Sequence, residues 1–201
     1  MQNDFVGRLA VGSSRAVVMG ITGNWAFAAG TVLLALRRHN PALNADIIVF
    51  CDGSLPTKDA HILQELGAQL VPFAPVDAAL TAEALSVFSP LSLAKFHCFD
   101  LLRHYESVVW LDSDILIQDS LEDLFTCGPL GLALEDPEFS DPPGAKPAQI
   151  NLHGPVQGFD SMAHNLNSGV LVFRNELPEP QALRQMCLDF VCAHAPLLRY
   201  P

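Results

Sequence analysis

Six short apolar runs, with helix-like segments between most of them, constrain this chain more than any other feature. They are AVVMGI at 16–21, ADIIVFCDG at 45–53, AQLVPF at 68–73, SVVWL at 107–111, LGLALE at 130–135 and SGVLVF at 168–173. The apolar positions are mostly consecutive rather than alternate, and the runs are shorter than a stable helix. That pattern fits strands buried on both faces. Helices are expected at 24–38, 55–67, 91–105 and 179–195. Asn24 is the expected N-cap of the first, with Arg37 and Arg38 in its last turn and Pro41 beyond its end. Gly67 is the expected C-cap of the second. Strands alternating with helices predict an α/β fold: a mostly parallel sheet with helices on both faces. At 201 residues the chain is of a size for one domain.

In such sheets ligands bind beyond the carboxyl ends of the strands. Four polar strand ends, ITGN, CDG, DSD and LED, are therefore expected on one rim. The third is the most informative. VVWL runs straight into Asp112 and Asp114. If the segment stays extended, residues i and i+2 point the same way and both carboxylates face one point. Like charges so placed repel unless a cation lies between them. A hard divalent ion, Mn²⁺ or Mg²⁺, suits such oxygen ligands and shares its shell with substrate phosphates. The plain alternative is a polar turn after a strand.

A net charge of −11 excludes nucleic acid or anionic lipid as partners held by the protein's own charge. The five cysteines, Cys51, Cys98, Cys127, Cys187 and Cys192, form no CxxC pair and no zinc spacing. They read as free thiols in a reducing compartment, hence a cytoplasmic location. Residues 16–36 are uncharged and long enough to cross a bilayer, but GITGN interrupts their centre, so no transmembrane segment is expected. The stretch from Asp136 to His164, rich in proline and without periodicity, reads as either a functional loop or a disordered one. No dinucleotide glycine fingerprint or phosphate loop is present. His97 and His104 read as ordinary packing or surface histidines, and Trp25, Phe27 and Trp110 as core.

SLAKFHCFDLLRHYESVVWLDSDILIQDSLEDLF at 92–125, NSGVLVF at 167–173 and VVMGITGNWAFAAGTVLLALRRHNP at 17–41 together resemble glycosyltransferase family 8, the glycogenin and lipopolysaccharide-galactosyltransferase family. The resemblance covers residues 16–195. It implies a GT-A, Rossmann-like fold, as one nucleotide-sugar-binding domain over 1–201. It implies a retaining, metal-dependent transfer of a hexose from a nucleotide sugar, UDP-linked, to a glycan, lipid or protein acceptor. Asp112 and Asp114 would hold the metal at the donor diphosphate. Ser113, Thr22 and Asn24 would lie by the nucleotide, and Lys95 by the diphosphate or hexose. Asn167, Ser168 and Gly169 would border the sugar and acceptor, and Asp136 the donor sugar. Phe27 stands near where the family places an aromatic beside the base.

The family also carries an Asp-Gln pair and a His-x-x-Gly-x-x-Lys segment beyond the last helix, and neither occurs in these 201 residues. The expectation is the donor-binding part of a longer enzyme. The alternative is a degenerate, non-catalytic nucleotide-sugar-binding protein.

Overall fold

The computed structural model describes residues 9–73, 82–134 and 166–195. The elements run β1 (Arg15–Ile21), α1 (Ala26–His39), β2 (Asp46–Cys51), α2 (Thr57–Glu65), β3 (Ala68–Pro72) and α3 (Ala82–Val87). A 3-10 helix, Pro90–His97, leads into α4 (Cys98–Leu101), followed by β4 (Ser107–Leu111), β5 (Leu130–Leu134), β6 (Leu166–Arg174) and α5 (Pro180–His194). The strands form one sheet in the order β3-β2-β1-β4-β6-β5. β1 to β4 are parallel, and β6 runs antiparallel to both β4 and β5. Five strands therefore point one way and β6 alone is reversed. This is the expected α/β architecture.

The consecutive apolar residues are explained by two covered faces. In β1, Val17, Met19 and Ile21 pack with α1 and Leu63 on one side. Ala16 and Val18 pack with α4, Tyr105 and Trp110 on the other. All five residues of β4 are buried. Burying one such aliphatic side chain stabilises the fold by about 1.5–3 kcal/mol. β4 lies between β1 and β6, so its carboxyl end rests on the best-packed part of the sheet.

Two local expectations need correction. Asn24 is not the N-cap of α1. Thr22 is extended, a 3-10 turn spans Gly23–Trp25, and α1 begins at Ala26 with no side-chain cap. The backbone N–H of Gly23 donates instead to Ser54 Oγ at 2.9 Å. Ser54 Oγ in turn donates to Asp52 Oδ1 at 2.5 Å. A Cβ on residue 23 would lie 2.3 Å from the Ser54 carbonyl oxygen. The turn after β2 thus packs directly on the start of the 3-10 turn, and only glycine fits there.

The single helix expected over 91–105 is a 3-10 helix that turns into one α turn. It starts at Pro90, with Ser89 Oγ accepting from the Leu91 N–H. The tighter winding carries Lys95 on its last turn and leaves Cys98, Phe99 and Leu101 buried below. The short helix α3 was not expected. Gly67 does close α2, with a φ of +86°. Residues 136–164 lie outside the described residues.

Candidate functional site

The carboxyl ends of β1 and β4 and the 3-10 helix enclose a cleft of about 260 Å³. Gly20, Ile21 and Thr22 come from β1 and its end, and Trp110, Asp112, Ser113 and Asp114 from β4 and the turn after it. Ser89, Leu91, Ser92 and Lys95 close the third side, and Trp25 stands at the start of α1. Gly20 permits close packing here: a Cβ would lie 3.0 Å from the Trp110 ring and 3.3 Å from Leu91. Ligand cavities run to roughly 300–1,000 Å³, so this cleft lies just below the small end of that range.

Four groups meet at one corner. Lys95 Nζ lies 3.5 Å from Asp112 Oδ1, and its side chain is 13% exposed. It donates to the Ser168 carbonyl oxygen at 3.2 Å and to Ser168 Oγ at 3.0 Å. Its ammonium also sits 5.6 Å from the centre of the Trp110 ring, within reach of a cation–π attraction. Trp110 Nε1–H donates to Asp112 Oδ1 at 2.7 Å. Lys95 is therefore no solvated helix lysine but the centre of a bonded cluster.

β6 supplies Ser168 through an irregularity. Leu132 of β5 faces Leu171, but the next residue, Ala133, faces Asn167. Ser168, Gly169 and Val170 are left without an opposite residue on β5. Such bulges re-aim side chains next to sites. Because β6 is reversed, its leading end reaches the carboxyl rim. The Gly169 carbonyl accepts from the Asp112 N–H at 2.8 Å, and Asn167 Oδ1 accepts from the Gly169 N–H at 2.7 Å.

Of the expected residues, Thr22, Lys95, Asp112, Ser113 and Asp114 line the cleft together. Ser168 reaches it through Lys95. Asn167 turns back onto its own strand, and buried Gly169 approaches Asp112 rather than open space. Asn24 is exposed and does not line the cleft. Asp52, expected on the rim, holds Ser54 instead. Asp136 lies outside the described residues. Asp112 and Asp114 do share a cleft, yet not by strand alternation: β4 ends at Leu111, and Ser113 and Asp114 form a turn.

Trp25 and Phe27 were expected in the core and are not. Trp25 is 47% exposed and Phe27 71%. Their rings stack with centroids 6.0 Å apart and an interplanar angle of 19°. Trp25, not Phe27, lines the cleft. The missed signal was its position, four residues past the last core residue of β1 and inside the glycine-punctuated turn. Trp110 is core as expected, at 2% exposure. Three of the thiols, at Cys98, Cys51 and Cys187, are poor nucleophiles. Burial raises the Cys98, Cys51 and Cys187 thiols above their ordinary value, with Asp52 adding to the rise at Cys51.

Compared with known families, residues 16–200 match the family described as Glycosyl transferase family 8. The chain belongs to that family. No curated protein matches it. Among solved structures, the galactosyltransferase LgtC in complex with donor and acceptor sugar analogues superposes with a TM-score of 0.66 at 17% identity, over 92% of this chain. The bifunctional glycosyltransferase WbbM gives 0.61 at 18% identity over 91% of this chain, and GlyE of Streptococcus pneumoniae TIGR4 gives 0.57 at 21% over 92%. These likenesses establish the GT-A glycosyltransferase fold. The chain spans 66% of the length of LgtC, 35% of WbbM and 40% of GlyE.

The family-8 chain offers two carboxylates for a metal. Among the described residues there is no group of three or more His, Cys, Asp and Glu that could hold an ion. Asp112 Oδ1 is engaged by Trp110 and Lys95, which leaves Oδ2 as its second donor atom. A Cβ at position 169 would lie 3.4 Å from Oδ2, and glycine keeps that side of the carboxylate uncrowded. Asp114 is exposed on the same cleft. Two hard oxygen donors fit Mg²⁺ or Mn²⁺ completed by phosphate oxygens and water.

Proposed function

We propose that this chain is a retaining, metal-dependent hexosyltransferase that takes its sugar from a UDP-linked donor. The observation that carries the reading is the cleft itself: in a family-8 chain, Asp112, Asp114 and Lys95 meet beside an exposed tryptophan. Asp112 and Asp114 would hold Mn²⁺ or Mg²⁺ at the donor diphosphate. The ion, when bound, supplies Lewis-acid neutralisation of charge on the departing diphosphate. Lys95 faces the same oxygens and offsets charge that grows as the glycosidic bond breaks. Thr22 and Ser113 border the nucleotide. Trp25, rather than Phe27, gives the base a flat stacking face, with Phe27 stacked behind it. Asn167, Ser168 and Gly169 shape the sugar side by fixing Lys95 and Asp112, and Asp136 remains the candidate for contact with the donor sugar.

No helix of the described residues is long and apolar enough to cross a membrane. All five cysteines are free thiols. Both fit a cytoplasmic enzyme working as a single nucleotide-sugar-binding domain on a glycan, lipid or protein acceptor. Titration calorimetry with UDP, with and without Mn²⁺, tests the metal bridge. UDP heat that grows with Mn²⁺ and falls back in Asp114→Ala is the expected result. Heat indifferent to both changes overturns it.

A further inference from the structure

We infer that Trp110 is a positioning residue for donor binding: its indole fixes the carboxylate of Asp112 and the ammonium of Lys95 at once. This rests on the metal–diphosphate reading above and deepens it.

The geometry is specific. Trp110 is the fourth residue of β4 and is 2% exposed. Its Nε1–H donates to Asp112 Oδ1 at 2.7 Å, a short bond to a charged acceptor. Asp112 stands two residues further along the chain, just past the strand end. The bond holds the side chain in one rotamer and assigns Oδ1 to the protein, leaving Oδ2 for the ligand. The ring of the same indole lies under the Lys95 ammonium at 5.6 Å, and its far edge abuts Gly20. A phenylalanine or valine at this position would fill core space but donate nothing. Groups that hydrogen-bond a metal-ligating carboxylate orient it, and losing one costs roughly 10–100-fold in metal affinity.

The chain has two tryptophans, and they occupy opposite settings: Trp25 half exposed at the cleft, Trp110 buried beneath it. In the ¹⁵N-labelled protein two indole signals are therefore expected. In the ligand-free state Asp112→Ala should move the Trp110 indole signal upfield and speed its exchange with water, leaving the backbone fold unchanged. This measurement keeps Trp110 in place, so it survives if Trp110→Phe fails to fold. Calorimetry then compares Mn²⁺-dependent UDP affinity in the wild type, Trp110→Phe, Asp112→Ala and the double variant. Trp110→Phe should weaken binding roughly 10–100-fold, and the effect should shrink markedly in the Asp112→Ala background. An unmoved indole signal, or full additivity of the two substitutions, overturns the inference while leaving the donor reading intact. Absence of Mn²⁺-dependent UDP binding in the wild type overturns the donor reading and this inference with it.

Discussion

The two ends of the sheet use similar residues in opposite ways. At the amino end, the Asp46 carboxylate accepts from the Gly12 N–H at 2.8 Å, the Ser13 N–H at 3.4 Å and the Tyr105 hydroxyl at 3.0 Å. Every donor in that knot belongs to the protein, and Tyr105 is 2% exposed. At the carboxyl end, Asp112 is fixed through one oxygen, Asp114 is exposed on the cleft, and Lys95 bridges β4 to β6. A closed network holds loops to strands. A network with one side unmatched is equipped to bind something else. The difference is not composition but how many of the partners come from the chain itself.

Substitutions should separate the two ends cleanly. The largest effect belongs to the open end: Asp114→Ala should lower kcat/KM for sugar transfer by roughly 100-fold or more, with thermal melting almost unmoved. A variant that transfers sugar normally contradicts the assigned role. Next comes Lys95→Met, which removes bonds to Ser168 and the ion pair with Asp112. Initial rates should fall by roughly 10–100-fold, with a modest loss of melting temperature because its side chain is largely buried. At the closed end the pattern reverses. Asp46→Ala should leave UDP affinity unchanged and destabilise the fold by about 1–3 kcal/mol, since it strands three donors. Denaturant titration beside calorimetry reads both.

The smallest effect is a pH dependence at the closed end. Burial, then the hydrogen bond to Asp46 and its charge, raise the Tyr105 phenol well above its ordinary value of about 10. A raised value means that the folded state favours the neutral phenol. Its contribution is complete below about pH 10, where folded and unfolded chains both carry the proton. Above that the unfolded chain ionises first, and the contribution fades as pH climbs. Tyr105→Phe should thus cost about 1 kcal/mol at neutral pH, shrinking in alkaline melts. A gap that widens with pH would contradict this.

Much of the fold was legible because burial on two faces leaves a plain mark. Six apolar runs became six strands, and Gly67 and the DSD strand end fell where expected. The site was legible where chemistry sits next to a strand: Asp112, Asp114, Thr22 and Lys95 reached one cleft. What escaped depended on contacts distant in sequence. Asn24 looks like a cap until Ser54, some thirty residues on, anchors Gly23 in a 3-10 turn that delays α1 to Ala26. Trp25 and Phe27 look like core because aromatic residues in an apolar segment usually are. Only the 3-10 turn ahead of α1 rotates them outward. No sequence pattern announces the bond from Trp110 to Asp112, since it depends on where the turn after β4 aims a carboxylate.

The irregularity in β6 carries one more consequence. Its three unmatched residues sit between two regular ladders, Leu130–Leu132 against Leu171–Phe173 on one side and Ala133–Leu134 against Leu166–Asn167 on the other. Toward β5, chain length at this spot is therefore decoupled from register, while Val170 stays paired with Leu111 of β4 and the Gly169 carbonyl takes the Asp112 N–H. A lineage that gained or lost a residue just ahead of Gly169 would change how far the Ser168 segment leans over Lys95 while the pairs of β6 with β4 stayed in step. In evolutionary terms that makes it a dial on the binding cleft, set apart from the parts that keep the molecule folded.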